Sequence, residues 1–215
     1  MSELVLYHYW RSSAAYRVRI ALNLKGLDYQ LESVHLVKDG GQQHQDEFRA
    51  LNPQGLVPVL IHEGQVLSQS MAICEYLDER FDEYPLLTGD ALQRARTRAL
   101  ALDVACDIHP LNNLRVLQYT KAEFGADADP KVWMQHWMQV GFTALEKRLG
   151  DAAPEGGWLA SRVGLFECFL VPQVYNAERF ELDMSQFPLI RQITDRCREM
   201  PAFIKAAPEN QPDAT

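Results

Sequence analysis

Strand-like and helix-like patterns alternate only over roughly the first 80 residues; every periodic segment after them is helical. That asymmetry restricts the chain to an α/β unit followed by an all-helical one. Leu4, Leu6, Tyr7 and Tyr9 form a β-rich run. Ser12 and Ser13 then open a helical pattern carrying Val18, Ala21, Leu22 and Leu24, with Lys25 in its last turn and Gly26 suited to C′. Tyr29 to Leu36 reads as a second strand. His44 to Leu51 reads as a short helix closed by Asn52-Pro53. Val57, Val59 and Ile61, a turn at Glu63-Gly64, then Val66 and Leu67 read as a hairpin, and Ile73, Leu77 and Phe81 share one helical stripe. The order is βαβ followed by ββα.

The stretch Asp82 to Asp90, with Pro85 and Gly89, is the expected linker, giving an α/β domain over 1–83 and an all-α domain over 90–215. Helical patterns run from Leu92 to about Ile108, Pro130 to Leu149, Leu165 to Arg179 and Pro188 to Arg198. Asp129 before Pro130 is a start signal. Trp133, Trp137, Val140 and Leu145 are the expected buried face of that helix, Pro110 and Pro172 are expected to end or kink theirs, and the polar tail from Pro208 to Thr215 is expected to be loose.

With 215 residues the chain buries about 70% of its unfolded surface and needs no disulfide staple. Its cysteines, Cys74, Cys106, Cys168 and Cys197, form no C-x-x-C pair and no zinc-like spacing, so buried free thiols and no metal are expected. A formal charge of −8 disfavours nucleic-acid binding. No apolar run approaches the ~20 residues that span a bilayer, and the first residues lack a basic and a long apolar region, so the expected compartment is the cytoplasm and no membrane partner is expected.

Three short segments carry chemistry. Ser12 and Ser13 stand directly after a strand and at a helix start, where free N–H groups and the helix dipole favour an anion or thiolate; a plain N-cap uses the same residues. Val57-Pro58 opens a strand whose interior should reject proline. A cis bond answers this and leaves the Val57 backbone free for a peptide-like ligand; an edge-strand proline answers it too. Gln69-Ser70 precede the next helix, where Ser70 could cap it and its amides could hold a carboxylate. Their order along the chain is more specific than any one of them.

That order, with the run Tyr9-Trp10-Arg11-Ser12-Ser13-Ala14-Ala15-Tyr16-Arg17-Val18-Arg19, the segment Lys38-Asp39-Gly40-Gly41-Gln42-Gln43, Leu51-Asn52-Pro53, His109-Pro110-Leu111-Asn112-Asn113-Leu114-Arg115 and Leu170-Val171-Pro172-Gln173-Val174-Tyr175-Asn176-Ala177-Glu178-Arg179, resembles the zeta class of glutathione transferases, the maleylacetoacetate isomerases, over nearly the whole chain. The resemblance implies a thioredoxin-like N-terminal domain, an all-α C-terminal domain, a homodimer and glutathione as cofactor. It implies that Ser12, with Ser13 beside it, faces the glutathione thiolate. Val57 would pair with the cysteinyl backbone, and Gln69 and Ser70 would hold the γ-glutamyl carboxylate. Gln43, His109, Asn113 and Arg115 match the remaining glutathione and active-site contacts. The implied activity is cis–trans isomerisation of a maleyl dicarboxylate in tyrosine and phenylalanine catabolism. Maleylpyruvate isomerase, general transferase or dehalogenase chemistry, and a non-catalytic glutathione-binding protein are the alternatives.

Two positions depart from the family pattern. Ala14 stands where the usual Ser-Ser-Cys has cysteine, and Gly164-x-x-Glu167 lacks the capping hydroxyl of the helical domain. Glycine at an N-cap costs only a few tenths of a kcal/mol. Arg11, Arg115 and Arg179 suit a substrate with two carboxylates, each best matched by a planar guanidinium. Rotation about C=C requires a thiolate to add and leave. Lowering a thiol pKa by about two units needs roughly 2.7 kcal/mol. A helix N-terminus contributes ~0.3–1 and one charged hydrogen bond ~1.5–3 kcal/mol, so Ser12 and the helix together are just sufficient.

Overall fold

The computed structural model describes residues 3–125, 129–152 and 162–215, so the Met1-Ser2 start lies outside the described residues. The chain divides into two compact units, Met1–Leu87 joined by Glu199–Thr215, and Thr88–Arg198. This corrects the expected boundary: the segment after Arg198 belongs with the first unit, not with the helices that precede it.

In the first unit the elements are β1 (Leu4–His8), α1 (Ser13–Leu24), β2 (Gln30–Ser33), α2 (Asp46–Leu51), β3 (Val59–His62), β4 (Gln65–Ser68), α3 (Ser70–Arg80) and, from the end of the chain, α9 (Pro201–Ala206). The sheet order is β2-β1-β3-β4, with β1 and β2 parallel and the other pairs antiparallel. That is the mixed sheet of a thioredoxin-like domain, as the βαβ–ββα order predicts. α1 packs on α3 and on α9, which accounts for the burial of Ala15 through Leu22 all around the helix. It ends in a Schellman motif: the Gly26 N–H reaches the Asn23 carbonyl at 3.2 Å and Leu27 N–H that of Leu22 at 3.0 Å, with Gly26 at φ 66°. The β3–β4 turn has Glu63 and Gly64 both at positive φ, which matches the right-handed twist of a two-residue hairpin.

The second unit contains α4 (Ala91–Leu102), a π-helical turn Asp103–Ile108, a 3-10 turn His109–Asn112, α5 (Leu114–Phe124), α6 (Pro130–Ala152), α7 (Leu165–Arg179) and α8 (Pro188–Arg198). Asp90 caps α4 with Gln93 reaching back to its N–H, and Asp129 accepts from Lys131 N–H at 2.8 Å to start α6. The face of α6 turned to the core is Met134, Met138, Phe142, Leu145 and Leu149. Of the expected stripe only Leu145 is buried; Val140 is exposed, and Trp133 and Trp137 line a cleft against α5. Pro172 neither ends nor interrupts α7, because that segment is buried on every side and packing outweighs the lost backbone bond. At the start of α7 only one half of the expected box exists: Glu167 accepts from Gly164 N–H at 2.8 Å, and glycine has no hydroxyl to return it. α5 and α9 had no sequence signal; α5 has no fully buried residue, so no apolar stripe marks it. Cys74, Cys168 and Cys197 are buried free thiols, whereas Cys106 is exposed.

The tail is not loose. Asp213 accepts from Trp10 N–H at 3.1 Å and Ser33 Oγ–H at 3.0 Å, and Gln211 donates to the Lys205 and Ala207 carbonyls. Its side chains find partners in the first unit that no local pattern in residues 208–215 reveals.

Candidate active site

β1 delivers the chain to a turn, Tyr9 to Ser12, closed by Ser12 N–H on the Tyr9 carbonyl at 2.9 Å. Ser12 has extended backbone and is the N-cap of α1; its Oγ accepts from Ala15 N–H at 3.2 Å. Ser13 is the first helical residue. The hydroxyl of Ser12 therefore uses a lone pair on the helix and keeps its one hydrogen for another acceptor. At this position the free N–H groups and the dipole end add a field that favours negative charge. Arg11 lies over the Trp10 ring, 4.5 Å from its centroid, and donates to Tyr9 Oη at 3.2 Å.

Val57 precedes β3 and lies outside both ladders of that strand; the Val57-Pro58 bond is cis, as expected from the proline. Val57 packs in one cluster with Tyr9, Trp10, Val34 and Phe48. Gln43 is buried: its Nε2 donates to the Leu36 carbonyl at 3.2 Å, and its Oε1 is buried with no hydrogen-bond partner among the described residues. Gly41, at φ 97°, makes room for it, since a Cβ there would stand 2.6 Å from the Gln43 amide.

The third segment differs from expectation. Ser70 is not the cap of α3 but its first residue; Gln69 occupies the cap position with no side-chain cap bond. Gln69 is held at φ 70°, ψ 114°, a conformation costly to a residue with a Cβ and characteristic of functional sites. The buried Ser70 Oγ accepts from Arg17 Nη1 at 3.1 Å. It repeats the arrangement at Ser12: a protein donor takes a lone pair and the hydroxyl hydrogen remains. Arg17, itself buried, was not singled out from sequence, although a charge inside an otherwise apolar helix is the signal that could have found it.

In the helical unit, His109 opens the 3-10 turn that follows the π-helical one, a geometry frequent at functional sites. Gly141 of α6 sits against Ile108 there; a Cβ would meet Ile108 Cγ1 at 2.3 Å. Asn113 caps α5, its Oδ1 accepting from Arg115 N–H at 3.2 Å, and Arg115 is exposed. Arg179 ends α7, exposed, with its guanidinium 5.4 Å from the Phe180 ring centroid. The structure thus gathers Arg11, Ser12 and Ser13 on one turn, Ser70 beside Arg17, and His109, Asn113 and Arg115 on one short segment; Arg179 stands on a different helix. The cleft between α5 and α6, about 640 Å³, contains none of these residues.

A thioredoxin-like sheet with a serine cap at its first helix, followed by a separate helical unit, is the fold of the glutathione transferases. Residues 6–85 match the family described as Glutathione S-transferase, N-terminal domain. The chain is 54% identical over 215 residues to the probable maleylacetoacetate isomerase of Vibrio cholerae, covering 100% of both chains. It is 47% identical to a bacterial zeta-class maleylpyruvate isomerase in its holo structure, covering 98% of this chain and 100% of that one with a TM-score of 0.93. A maleylacetoacetate isomerase from Methylobacterium extorquens AM1, solved with bound malonate and glutathione, is 36% identical, with coverage of 98% and 99% and a TM-score of 0.92. The chain belongs to the zeta class of the glutathione S-transferase family.

Proposed function

We propose that the protein is a glutathione-dependent cis–trans isomerase of a maleyl dicarboxylate, with maleylacetoacetate as substrate and fumarylacetoacetate as product. The observation that carries the reading is the pair of serines, Ser12 and Ser70, each with its lone pair taken by a protein donor and its hydrogen free for an anion. The buried Gln43 Oε1, with no partner among the described residues, is a further acceptor suited to a peptide-like ligand. Glutathione, when bound, supplies the thiolate that adds to the double bond, permits rotation and leaves.

The chain's own residues do the rest. Ser12 donates its hydroxyl hydrogen to the sulfur, with Ser13 beside it, and holds it ionised near neutral pH. Val57 offers its backbone to the cysteinyl unit, and Gln69 and Ser70 hold the γ-glutamyl carboxylate. Gln43, His109, Asn113 and Arg115 complete the binding set. Arg11, Arg115 and Arg179 hold the substrate carboxylates while the middle of the molecule rotates. Ala14 removes only a protein thiol, and the reacting thiol belongs to glutathione. The malonate in the Methylobacterium enzyme, a small dicarboxylate, favours this substrate class. The 54% likeness to the Vibrio enzyme favours maleylacetoacetate, and the 47% likeness to the holo isomerase supports maleylpyruvate as the second reading. A cytoplasmic role in tyrosine and phenylalanine breakdown and a homodimer belong to the same proposal.

The test is a kinetic assay with maleylacetoacetate, maleylpyruvate and a neutral chlorodinitrobenzene-type electrophile, each with and without glutathione. Isomerisation that requires glutathione is expected, faster with maleylacetoacetate. Replacing Arg11, Arg115 or Arg179 by Met should lower isomerisation about ten- to a hundredfold, a loss of roughly 1.5–3 kcal/mol, and lower turnover of the neutral electrophile far less when both are measured at saturating glutathione, which removes the share of Arg115 in glutathione binding. Equal loss in both reactions overturns the carboxylate role, and turnover of the neutral electrophile only overturns the isomerase reading.

A further inference from the structure

The turn that presents Ser12 is held from outside itself. Trp10, at its centre, has both sides of its backbone tied down. Its N–H donates to Asp213 Oδ2 at 3.1 Å, and its carbonyl accepts from Arg19 Nη2 at 2.9 Å. Arg19, fully buried in α1, also donates through Nε to the Ala206 carbonyl at 3.0 Å, through Nη1 to His8 Nδ1 at 3.2 Å, and more weakly to the Tyr9 carbonyl at 3.5 Å. Ala206 and Asp213 both come from the C-terminal segment, and Ala214 packs on the cluster containing Tyr9, Trp10 and Val57.

The protonation states in this network follow from its donors. Arginine only donates, so His8 Nδ1 must accept and the proton of neutral His8 sits on Nε2. Nε2 is 3.6 Å from Asp213 Oδ1. Burial is the main reason the His8 pKa is pushed down to about 4, against the raising effect of Asp213 and with some help from Arg19. His8 is therefore uncharged at neutral pH. Burial also lowers the Arg19 guanidinium to about 10, which leaves it charged there. A cation and an anion thus grip the two sides of one residue, two positions ahead of Ser12.

We propose that Asp213 is a positioning residue for Ser12: the C-terminal tail, acting through the Trp10 N–H, fixes the turn that aims the Ser12 hydroxyl at the glutathione sulfur. This rests on the glutathione-dependent reading above. It makes the tail part of the thiol-activating machinery while touching neither cofactor nor substrate. Ser33, the other donor to the same carboxylate oxygen, lies on β2 in register with His8, outside the Tyr9–Ser12 turn, and serves as the internal control.

The test uses the full chain with Asp213→Ala, Asp213→Asn and Ser33→Ala. In the binary complex with glutathione, thiolate absorbance is titrated against pH, well below each variant's melting temperature. Exchange of the Trp10 amide hydrogen is followed in the glutathione-free protein. D213A is expected to speed Trp10 exchange at least tenfold and raise the bound thiol pKa by about one unit, a tenfold smaller thiolate-to-thiol ratio at a fixed pH. D213N, whose amide oxygen can still accept from both Trp10 N–H and Ser33 Oγ–H, since the two share Oδ2, but which removes the charge, should move both readouts the same way by less. S33A should leave the thiol pKa unchanged. A lower melting temperature with an unaltered thiol pKa in D213A, or in D213N if D213A does not fold, overturns the proposal. If the wild type itself shows no bound thiolate, the glutathione reading fails instead, and the two failures are distinct.

Discussion

Replacement of Ser12 separates its observed job from its proposed one, because the two use different parts of one hydroxyl. The lone pair caps α1 through Ala15 N–H at 3.2 Å; the hydrogen is the part proposed for the sulfur. Ser12→Ala removes both. Loss of the cap costs about 1 kcal/mol of stability, which lowers the melting temperature by roughly 2–4 °C in a chain of this size. Loss of a hydrogen bond to a charged sulfur costs ~1.5–3 kcal/mol and should reduce isomerisation roughly ten- to a hundredfold. Ser12→Asp keeps the cap, since aspartate caps as well as serine, and its charge suits the helix N-terminus. It also puts a like charge beside the thiolate, so activity should fall below that of S12A. Ser12→Thr keeps both functions. The order in melting temperature is then S12D and S12T near wild type with S12A lower, while the order in activity is S12T, S12A, S12D. The assays are thermal unfolding and glutathione-dependent isomerisation on the same preparations. If activity simply follows melting temperature across the three, or if S12D isomerises as well as wild type, the division of the hydroxyl is refuted.

Lys25 is buried and donates to the carbonyls of Phe81, Glu83 and Tyr84 while pairing with Asp78 at 3.2 Å, so Lys25→Met, which strands a half-buried carboxylate, should cost about 3–5 kcal/mol in urea unfolding without altering glutathione affinity at low temperature. For His8 the folded pKa of about 4 lies below the ordinary 6.5, so the unfolded chain takes up the proton first on acidification. Stability should be full above pH 6.5 and fall by about 3 kcal/mol as pH drops through 4, with the slope weakened in His8→Gln; an unchanged urea-midpoint slope contradicts it. Ala14→Cys should change the isomerase rate less than about tenfold; a larger gain, 1.4 kcal/mol or more, would mark the natural chain as a degraded isomerase.

Where a structural decision is local, the sequence carried it. Lys25-Gly26-Leu27 close α1 because glycine alone accepts the C′ conformation cheaply, and Asp129-Pro130 start α6 because one caps and the other needs no N–H. Ser12 was legible for the same reason. Where the decision is tertiary, it was not. Whether Trp133 and Trp137 face the core or a cleft depends on α5, a helix with no buried stripe of its own. Ser70 reads as a cap until Arg17, 53 positions earlier, claims its oxygen. Asp213 reads as a solvated tail residue, since its partner Trp10 lies 203 positions away and no periodicity spans that distance.

The buried arginines of α1 acquire a role from this arrangement. Arg17 and Arg19 are two residues apart on one helix, and each turns its guanidinium to a different approach to the proposed ligand site: Arg17 to Ser70 at the start of α3, Arg19 to the Trp10 carbonyl before Ser12. Burying two such charges is expensive, so the bonds they make, Arg17 Nη1 to Ser70 and Arg19 to Ala206, His8 and Trp10, strongly favour these positions. α1 therefore acts as a ruler. It sets the spacing between the serine proposed for the sulfur and the serine proposed for the far carboxylate of an extended tripeptide. A lysine at either position has three donors but no planar fork, and could not hold the same two ends in register. The hydrophobic contacts of α1 with α3 and α9 supply the stability that carries those two charges, and the charges supply the geometry that the apolar contacts, being non-directional, do not specify.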